Sequence, residues 1–292
     1  MSKFDDLFKQ YNCNITDESV KQDIDKILAN HYAENDNVEV YKQCLSQIDL
    51  TSLNGTDTHA EIIAMVEKVN NFKVAYPKLP NVAAICVYPA LVPVVKEYLT
   101  ENIGIASVAA GFPASQTFIE VKIAEVAMAV LEGATEIDVV ISIGKFLEEN
   151  YEEVHEEITE IKSSCRDAHL KVILETGALK SPSNIKKASI LAMNAGADFI
   201  KTSTGKIPVA ATVEATYIMC QAIKEWYQKT CVKVSYKPAG GISTTEDAVK
   251  HYTIVKEVLG KEWLNNTMFR FGASRLANNL LSSIEGKEVK YF

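Results

Sequence analysis

The 292-residue chain contains no C-x-x-C pair, and its six cysteines (Cys13, Cys44, Cys86, Cys165, Cys220 and Cys231) are scattered. That spacing argues against a zinc ribbon or a disulfide framework and fits a reducing, cytoplasmic setting. The five histidines (His31, His59, His155, His169 and His251) are equally dispersed. None ends an apolar run beside a second ligand, so neither a metal nor another cofactor is expected. No basic run or aromatic-basic interleaving is present, and the formal net charge is −8, which gives a nucleic-acid partner little support. No uninterrupted apolar stretch approaches the length that spans a bilayer. The opening residues, Met-Ser-Lys-Phe-Asp-Asp-Leu-Phe, lack the apolar core of a signal peptide, so no membrane association is expected.

Short apolar runs alternate with helical patterns throughout. The first 40 or so residues are polar and helical, with Val20, Ile24, Ile27 and Leu28 at helical spacing. Strands are then predicted at 47–50, 82–88, 105–112, 136–141, 170–176, 199–201, 232–237 and 268–271. Helices are expected between them, from Thr56, Pro89, Ser115, Leu147, Pro182, Val209, Thr244 and Ser274. The glutamates at 148, 149, 152, 153, 156, 157 and 160 fill positions left by an apolar stripe and read as a solvated face. A repeat of about 30 residues is the length of a βα unit, too long for hairpins, so the sheet should be parallel. Eight such units predict an α/β fold, a (β/α)8 TIM barrel with an N-terminal helical extension. The alternative is an open doubly wound sheet. Against it, the turn Leu53-Asn-Gly-Thr lacks the glycines of a dinucleotide-binding loop. The expected division is a helical extension at 1–43, the barrel at 44–284 and a tail at 285–292.

Active sites of such barrels lie where strands end. That rule selects Asp49, Cys86, Asp138, Lys171 with Glu175, Lys201 and Lys237. Lys201 ends the run Asp198-Phe-Ile-Lys and is followed by Thr-Ser-Thr-Gly-Lys206. A buried lysine that gives up its proton is a nucleophile for carbonyl carbon; the alternative is a lysine that snorkels to solvent. Lys237 should end the adjacent strand, close enough to depress a neighbouring amine. Asp138 lies in an apolar strand and needs a cationic partner, either in catalysis or in an ion pair that only braces the barrel. The loops Pro238-Ala-Gly-Gly-Ile-Ser243 and Gly272-Ala-Ser274 offer backbone N–H groups to an anion, with Thr204, Gly205 and Lys206 adding donors. Tight turns are the simpler reading of the same glycines.

These residues resemble the deoxyribose-phosphate aldolases of the lysine Schiff-base type. The resemblance rests on Ala109-Ala-Gly-Phe-Pro, Glu136-Ile-Asp-Val-Val, Leu174-Glu-Thr-Gly, Gly196-Ala-Asp-Phe-Ile-Lys-Thr-Ser-Thr-Gly-Lys206, Lys237-Pro-Ala-Gly-Gly and Phe271-Gly-Ala-Ser. It implies a lyase that reversibly cleaves 2-deoxy-D-ribose 5-phosphate to acetaldehyde and D-glyceraldehyde 3-phosphate, in deoxyribose phosphate catabolism. By that resemblance Lys201 forms the Schiff base, Lys237 lowers its pKa and Asp138 transfers protons. Asp49, Thr51 and Cys86 line the sugar end, an exposed Cys86 thiol being open to electrophilic aldehydes. Thr204, Gly205, Lys206, Gly240, Gly241, Gly272 and Ser274 bind phosphate. The resemblance also implies no cofactor or metal, phosphosugar and aldehyde ligands, and a homodimer or homotetramer. Two positions depart from the family pattern. Arg275 stands where relatives carry a small hydroxyl residue, and is expected to swing out into a surface pair or to strengthen phosphate binding. Tyr291 is penultimate where relatives end in a tyrosine, leaving open whether it enters the site as a proton relay or frays. Another phosphosugar barrel enzyme and a non-catalytic binding protein are the alternative readings.

Overall fold

A computed structural model describes residues 3–292. Its strands are β1 (Ile48–Thr51), β2 (Ala84–Val87), β3 (Gly104–Ala109), β4 (Glu136–Val140), β5 (His169–Ile173), β6 (Phe199–Lys201), β7 (Ser235–Lys237) and β8 (Phe271–Ala273). All eight lie in one parallel sheet in the order β7-β6-β5-β4-β3-β2-β1-β8. Isolated bridges from Tyr236 to Phe269 and from Ala239 to Gly272 bring the two ends together. The result is a nearly closed eight-stranded barrel.

Helices α1 (Lys3–Lys9), α2 (Asp17–Asn35) and α3 (Val38–Ser46) precede the barrel. Around it run α4 (His59–Ala75), α5 (Val92–Tyr98), α6 (Ile119–Leu131), α7 (Ile143–Leu147), α8 (Tyr151–Ser164), α9 (Pro182–Asn194), α10 (Val213–Thr230), α11 (Thr245–Leu259) and α12 (Leu276–Glu285). Side chains start several of them: Thr16, Thr58 and Thr244 form capping boxes, satisfying N–H groups that the first turn leaves free. α2 packs on α10 and α11, and α3 on α11 and α12. In α1, Phe8 meets Tyr151 edge-on. The expected boundary at 43–44 falls inside α3, so extension and barrel share a helix.

Several expected boundaries move. β7 begins at Ser235 rather than Val232, because it pairs residue for residue with the three-residue β6. β8 covers 271–273 rather than 268–271, in register with Ile48–Leu50. Ser115 does not cap α6: its φ of 57° is left-handed, and the helix opens after Phe118. α4 starts after Thr58, α10 after Thr212 and α12 at Leu276. The helix expected from Leu147 is two helices, broken where Glu149 takes φ 61°. Glu157 is not solvated as expected: it is buried and binds Lys122 and Lys145.

Candidate active site

A charged cluster occupies the barrel interior where apolar layers usually sit. In β4, alternate residues Glu136 and Asp138 point inward, and both are buried. Lys171 is paired in register with Asp138, and Lys201 with Lys237. Asp49 comes from β1 and Arg270 from the residue before β8. Lys201 Nζ donates to Asp138 Oδ2 at 2.7 Å, and Lys237 Nζ to the same oxygen at 2.8 Å. Lys237 also contacts Asp49. Lys171 donates to Asp138 Oδ1 at 3.2 Å and binds Glu136. Arg270 donates to Asp49 at 2.6 Å and to Glu136 at 2.9 Å. The Phe199 ring lies beneath both Lys171 and Arg270.

The cluster holds four cationic side chains and three carboxylates, so it balances when one cation gives up its proton. Burial disfavours every charge here, and the partners decide which survive. Burial raises Asp138, but Lys171, Lys201 and Lys237 outweigh it and hold the carboxyl well below its usual range. Asp49 and Glu136 are likewise lowered by their cationic neighbours against burial. Burial lowers Lys237 and Lys171, yet their carboxylate contacts outweigh it and raise both amines. Lys201 alone among the four is lowered. Burial is the largest cause; Asp138 opposes it, and Lys237 adds a further downward push.

A cavity of about 330 Å³ opens at the C-terminal ends of the strands. Its walls are the loops after β1, β6, β7 and β8, and Lys201 is the one member of the charged cluster that lines it. Glycines bring the loops together. Gly240 has φ +83°, and a Cβ there would stand 2.7 Å from Ala210 Cβ and 2.8 Å from Gly205 Cα. A Cβ on Gly272 would lie 2.7 Å from Ala239 Cβ and 3.1 Å from Lys237 Cε. The start of α12 faces the same space through Ser274 and Arg275, a place where helix N–H groups favour an anion.

The DeoC/LacD family aldolase model matches residues 44–261. The chain belongs to the DeoC/LacD aldolase family. It is 44% identical over 254 residues to deoxyribose-phosphate aldolase of Mus musculus, covering 82% of this chain and 77% of the relative. To the Homo sapiens deoxyribose-phosphate aldolase it is 43% identical over 249 residues, covering 80% and 77%. Among solved structures, the deoxyribose phosphate aldolase from Aeropyrum pernix, described as tetrameric, superposes with a TM-score of 0.69. That match has 23% identity and covers 87% of this chain and 97% of the other, a likeness of fold.

The sequence-derived candidates of this DeoC/LacD aldolase fall into four places. Lys201, Thr51, Thr204, Gly205, Lys206, Gly240, Gly241, Gly272 and Ser274 all line the cavity. Asp138, Lys237 and Asp49 lie beneath it, fully buried in the charged cluster. Asp49 therefore braces Lys237 and Arg270 rather than facing the cavity. Thr204 is partly committed: its hydroxyl donates to Glu175 Oε2 at 2.5 Å and its N–H to Oε1 at 3.2 Å, which fixes the loop after β6. Lys206 closes the loop after β1 by donating to the Leu53 carbonyl. Cys86 is not exposed as expected. Its side chain is wholly buried on β2, and burial followed by Asp138 raises the thiol.

Tyr291 neither frays nor enters the cavity. Its hydroxyl donates to the Lys68 carbonyl at 2.8 Å, and its ring packs on Phe72, Tyr76 and Phe292. Phe72 and Tyr76 lie at the end of α4, which runs away from the strand ends, so the tail docks at the far end of the barrel. Arg275 lines the cavity and forms no ion pair among the described residues, against the expected surface pair. The one metal-like cluster among the described residues, His31, Glu34 and Glu257, lies on α2 and α11, outside the cavity. Glu136 and Arg270 escaped the sequence reading. The period-two pattern that turned Asp138 inward also turns Glu136, and an arginine between Phe269 and Phe271 in a barrel strand carries the same signal.

Proposed function

We propose that this enzyme is a deoxyribose-phosphate aldolase, cleaving 2-deoxy-D-ribose 5-phosphate reversibly to acetaldehyde and D-glyceraldehyde 3-phosphate through a Schiff base on Lys201. The observation that carries the reading is the coincidence at Lys201: the one lowered amine of the cluster is also the one that reaches the cavity. Neutral Lys201 Nζ attacks C1 of the open-chain sugar, and loss of water gives an iminium. A base removes the C3 hydroxyl proton, the C2–C3 bond breaks, and its electrons flow into the iminium to leave an enamine. Protonation at C2 and hydrolysis release acetaldehyde and restore the amine.

Asp138 is the proton-transfer group of this scheme. Its ionised carboxylate sits 2.7 Å from Lys201 Nζ, so it can accept the amine's proton as the carbinolamine forms and return it to the departing hydroxyl. Lys237 keeps its charge and disfavours a second one on Lys201. The glycine loops, Lys206 and the start of α12 take the phosphate. The reaction as written needs no metal or organic cofactor. We place the enzyme in the cytoplasm as a homo-oligomer acting in deoxyribose phosphate catabolism. No described helix is long and apolar enough to cross a membrane.

Borohydride added with acetaldehyde should leave a reduced adduct on the peptide carrying Lys201, and Lys201→Ala should lose both adduct and turnover. An adduct elsewhere, or full activity in Lys201→Ala, overturns the proposal. EDTA should leave turnover unchanged; a loss would point to metal-dependent aldol chemistry instead.

A further inference from the structure

Glu175 is a buried acid at the rim of the barrel that the chemistry above leaves unused. It lies just past the end of β5 and is 3% exposed. A carboxylate so buried needs a cation or hydrogen bonds to its oxygens. Glu175 makes no ion pair among the described residues, and Thr204 supplies the bonds: its N–H donates to Oε1 at 3.2 Å and its hydroxyl to Oε2 at 2.5 Å. The backbone of Glu175 is left-handed, at φ 54° and ψ 58°, a conformation that residues with a Cβ avoid. Strain of this kind at a strand end points to a role in the site.

The strand pairing shows what the strained residue does. The Leu174 N–H donates to the Lys201 carbonyl and the Thr176 N–H to the Thr202 carbonyl, both at 2.9 Å. In regular parallel pairing a step of two residues on one strand matches two on its neighbour. Here it matches one, so Glu175 is the extra residue of a bulge. In a regular strand Glu175 would share the inward face of Lys171 and aim a carboxylate into the mouth of the barrel. The bulge turns it along the rim to Thr204 instead, and it does not line the cavity. Thr204 passes the constraint on. Its Oγ1 accepts from the Lys206 N–H at 3.0 Å, and Lys206 Nζ donates to the Leu53 carbonyl. The N–H groups of Thr204 and Lys206 are thus spent. That of Gly205, between them at φ +76°, bonds no acceptor among the described residues. Gly205 and Lys206 both line the cavity. The far end of the loop rests on the same turn: Thr176 Oγ1 lies 3.5 Å from the Ala210 carbonyl, and a Cβ on Gly177 would collide with the Val209 carbonyl. Residues 175–177 therefore grip the loop after β6 at both ends, and Glu175 is the grip nearest the cavity.

We propose that Glu175 is a positioning residue for the substrate phosphate: through Thr204 it holds the loop after β6 where the Gly205 N–H and the Lys206 ammonium can bind that group. The inference rests on the phosphosugar reading above and adds to it a residue that touches no substrate. The test compares kcat/KM for 2-deoxyribose 5-phosphate with kcat/KM for unphosphorylated 2-deoxyribose. Glu175→Gln keeps the size of the side chain but has one acceptor oxygen where Thr204 needs two. It should lower the phosphate preference, the ratio of the two kcat/KM values, by about tenfold, the worth of one hydrogen bond. The value for deoxyribose itself should fall far less. Thr204→Val removes the hydroxyl, reads the same contact from the other side and should also lower the preference; if Glu175→Gln does not fold, this variant decides. The double variant should fall no further than the more affected single, because both changes break one link. An unchanged preference, or equal losses on both sugars, overturns the proposal, and so does a double variant whose losses multiply. A wild-type protein that cleaves both sugars equally well overturns the phosphate reading itself, and this proposal with it.

Discussion

Replacing Lys237 by methionine should make Lys201 harder to deprotonate. The two amines share one acceptor, Asp138 Oδ2, at 2.7 and 2.8 Å, so their nitrogens are at most about 5.5 Å apart, and two positive charges at that distance repel by about 3 kcal/mol at an effective dielectric of 20. That is roughly two pKa units on Lys201. Charge counting gives the same sign. The native cluster balances when Lys201 is neutral; without Lys237, three cations face three carboxylates, and it balances when Lys201 is charged. Asp138 Oδ2 would also be left to Lys201 alone, with Lys171 still on Oδ1. Methionine keeps the length and apolar character of the stem, so the barrel should retain its packing, although Asp49 keeps only Arg270 and the more distant Lys171.

The assay is the pH dependence of borohydride trapping with acetaldehyde at Lys201, with peptide mapping to confirm the residue. In the Lys237→Met protein the acid limb should move up by about two pH units, so that along the limb roughly 100-fold less neutral amine remains at a given pH. Trapping should recover at alkaline pH, because burial, the largest cause of the lowered Lys201 pKa, remains in place. A limb that shifts by no more than about half a unit, the effect that bulk-water screening would leave, refutes the argument that the buried pair tunes the nucleophile. A rate that stays low at high pH would mean that Lys237 donates a proton in the reaction.

Two further outcomes follow from the geometry. Gly240→Ala forces a side chain onto φ +83° and into Ala210 and Gly205, at a cost of about 1–3 kcal/mol; KM for deoxyribose 5-phosphate should rise tenfold or more while KM for unphosphorylated deoxyribose stays, and equal effects on both would remove these loops from phosphate binding. His251 is buried against Thr216, and burial pulls its imidazole from 6.5 down to about 4, with Asp247 opposing. Its contribution to stability is fully present above pH 6.5 and is lost as pH falls toward 4, because the unfolded chain takes up the proton first. Urea unfolding should therefore lose about 2 kcal/mol between pH 7.5 and pH 5, and His251→Gln should flatten that slope; identical slopes would place the acid sensitivity elsewhere.

The sequence carried the barrel and the top of the site further than the charge network beneath it. Strand ends are legible because apolar runs stop at polar residues, so Lys201 and Lys237 could be placed side by side before any coordinates. What a one-dimensional pattern does not carry is closure. Glu136 and Arg270 meet only because β4 and β8 face each other across the barrel, far apart in sequence, and their contact makes the charge count that frees one proton. The same limit explains Cys86 and Tyr291. Position at a strand end suggested an exposed thiol, but the depth of Cys86 below the cavity depends on how the neighbouring strands stagger. A penultimate tyrosine left open whether the ring enters the active site or frays; α12 carries the chain to the opposite end of the barrel, where Phe72 and Tyr76 offer the ring an apolar seat. Residue type selected the chemistry; register and closure decided which of those residues touch the cavity and which only set its charge.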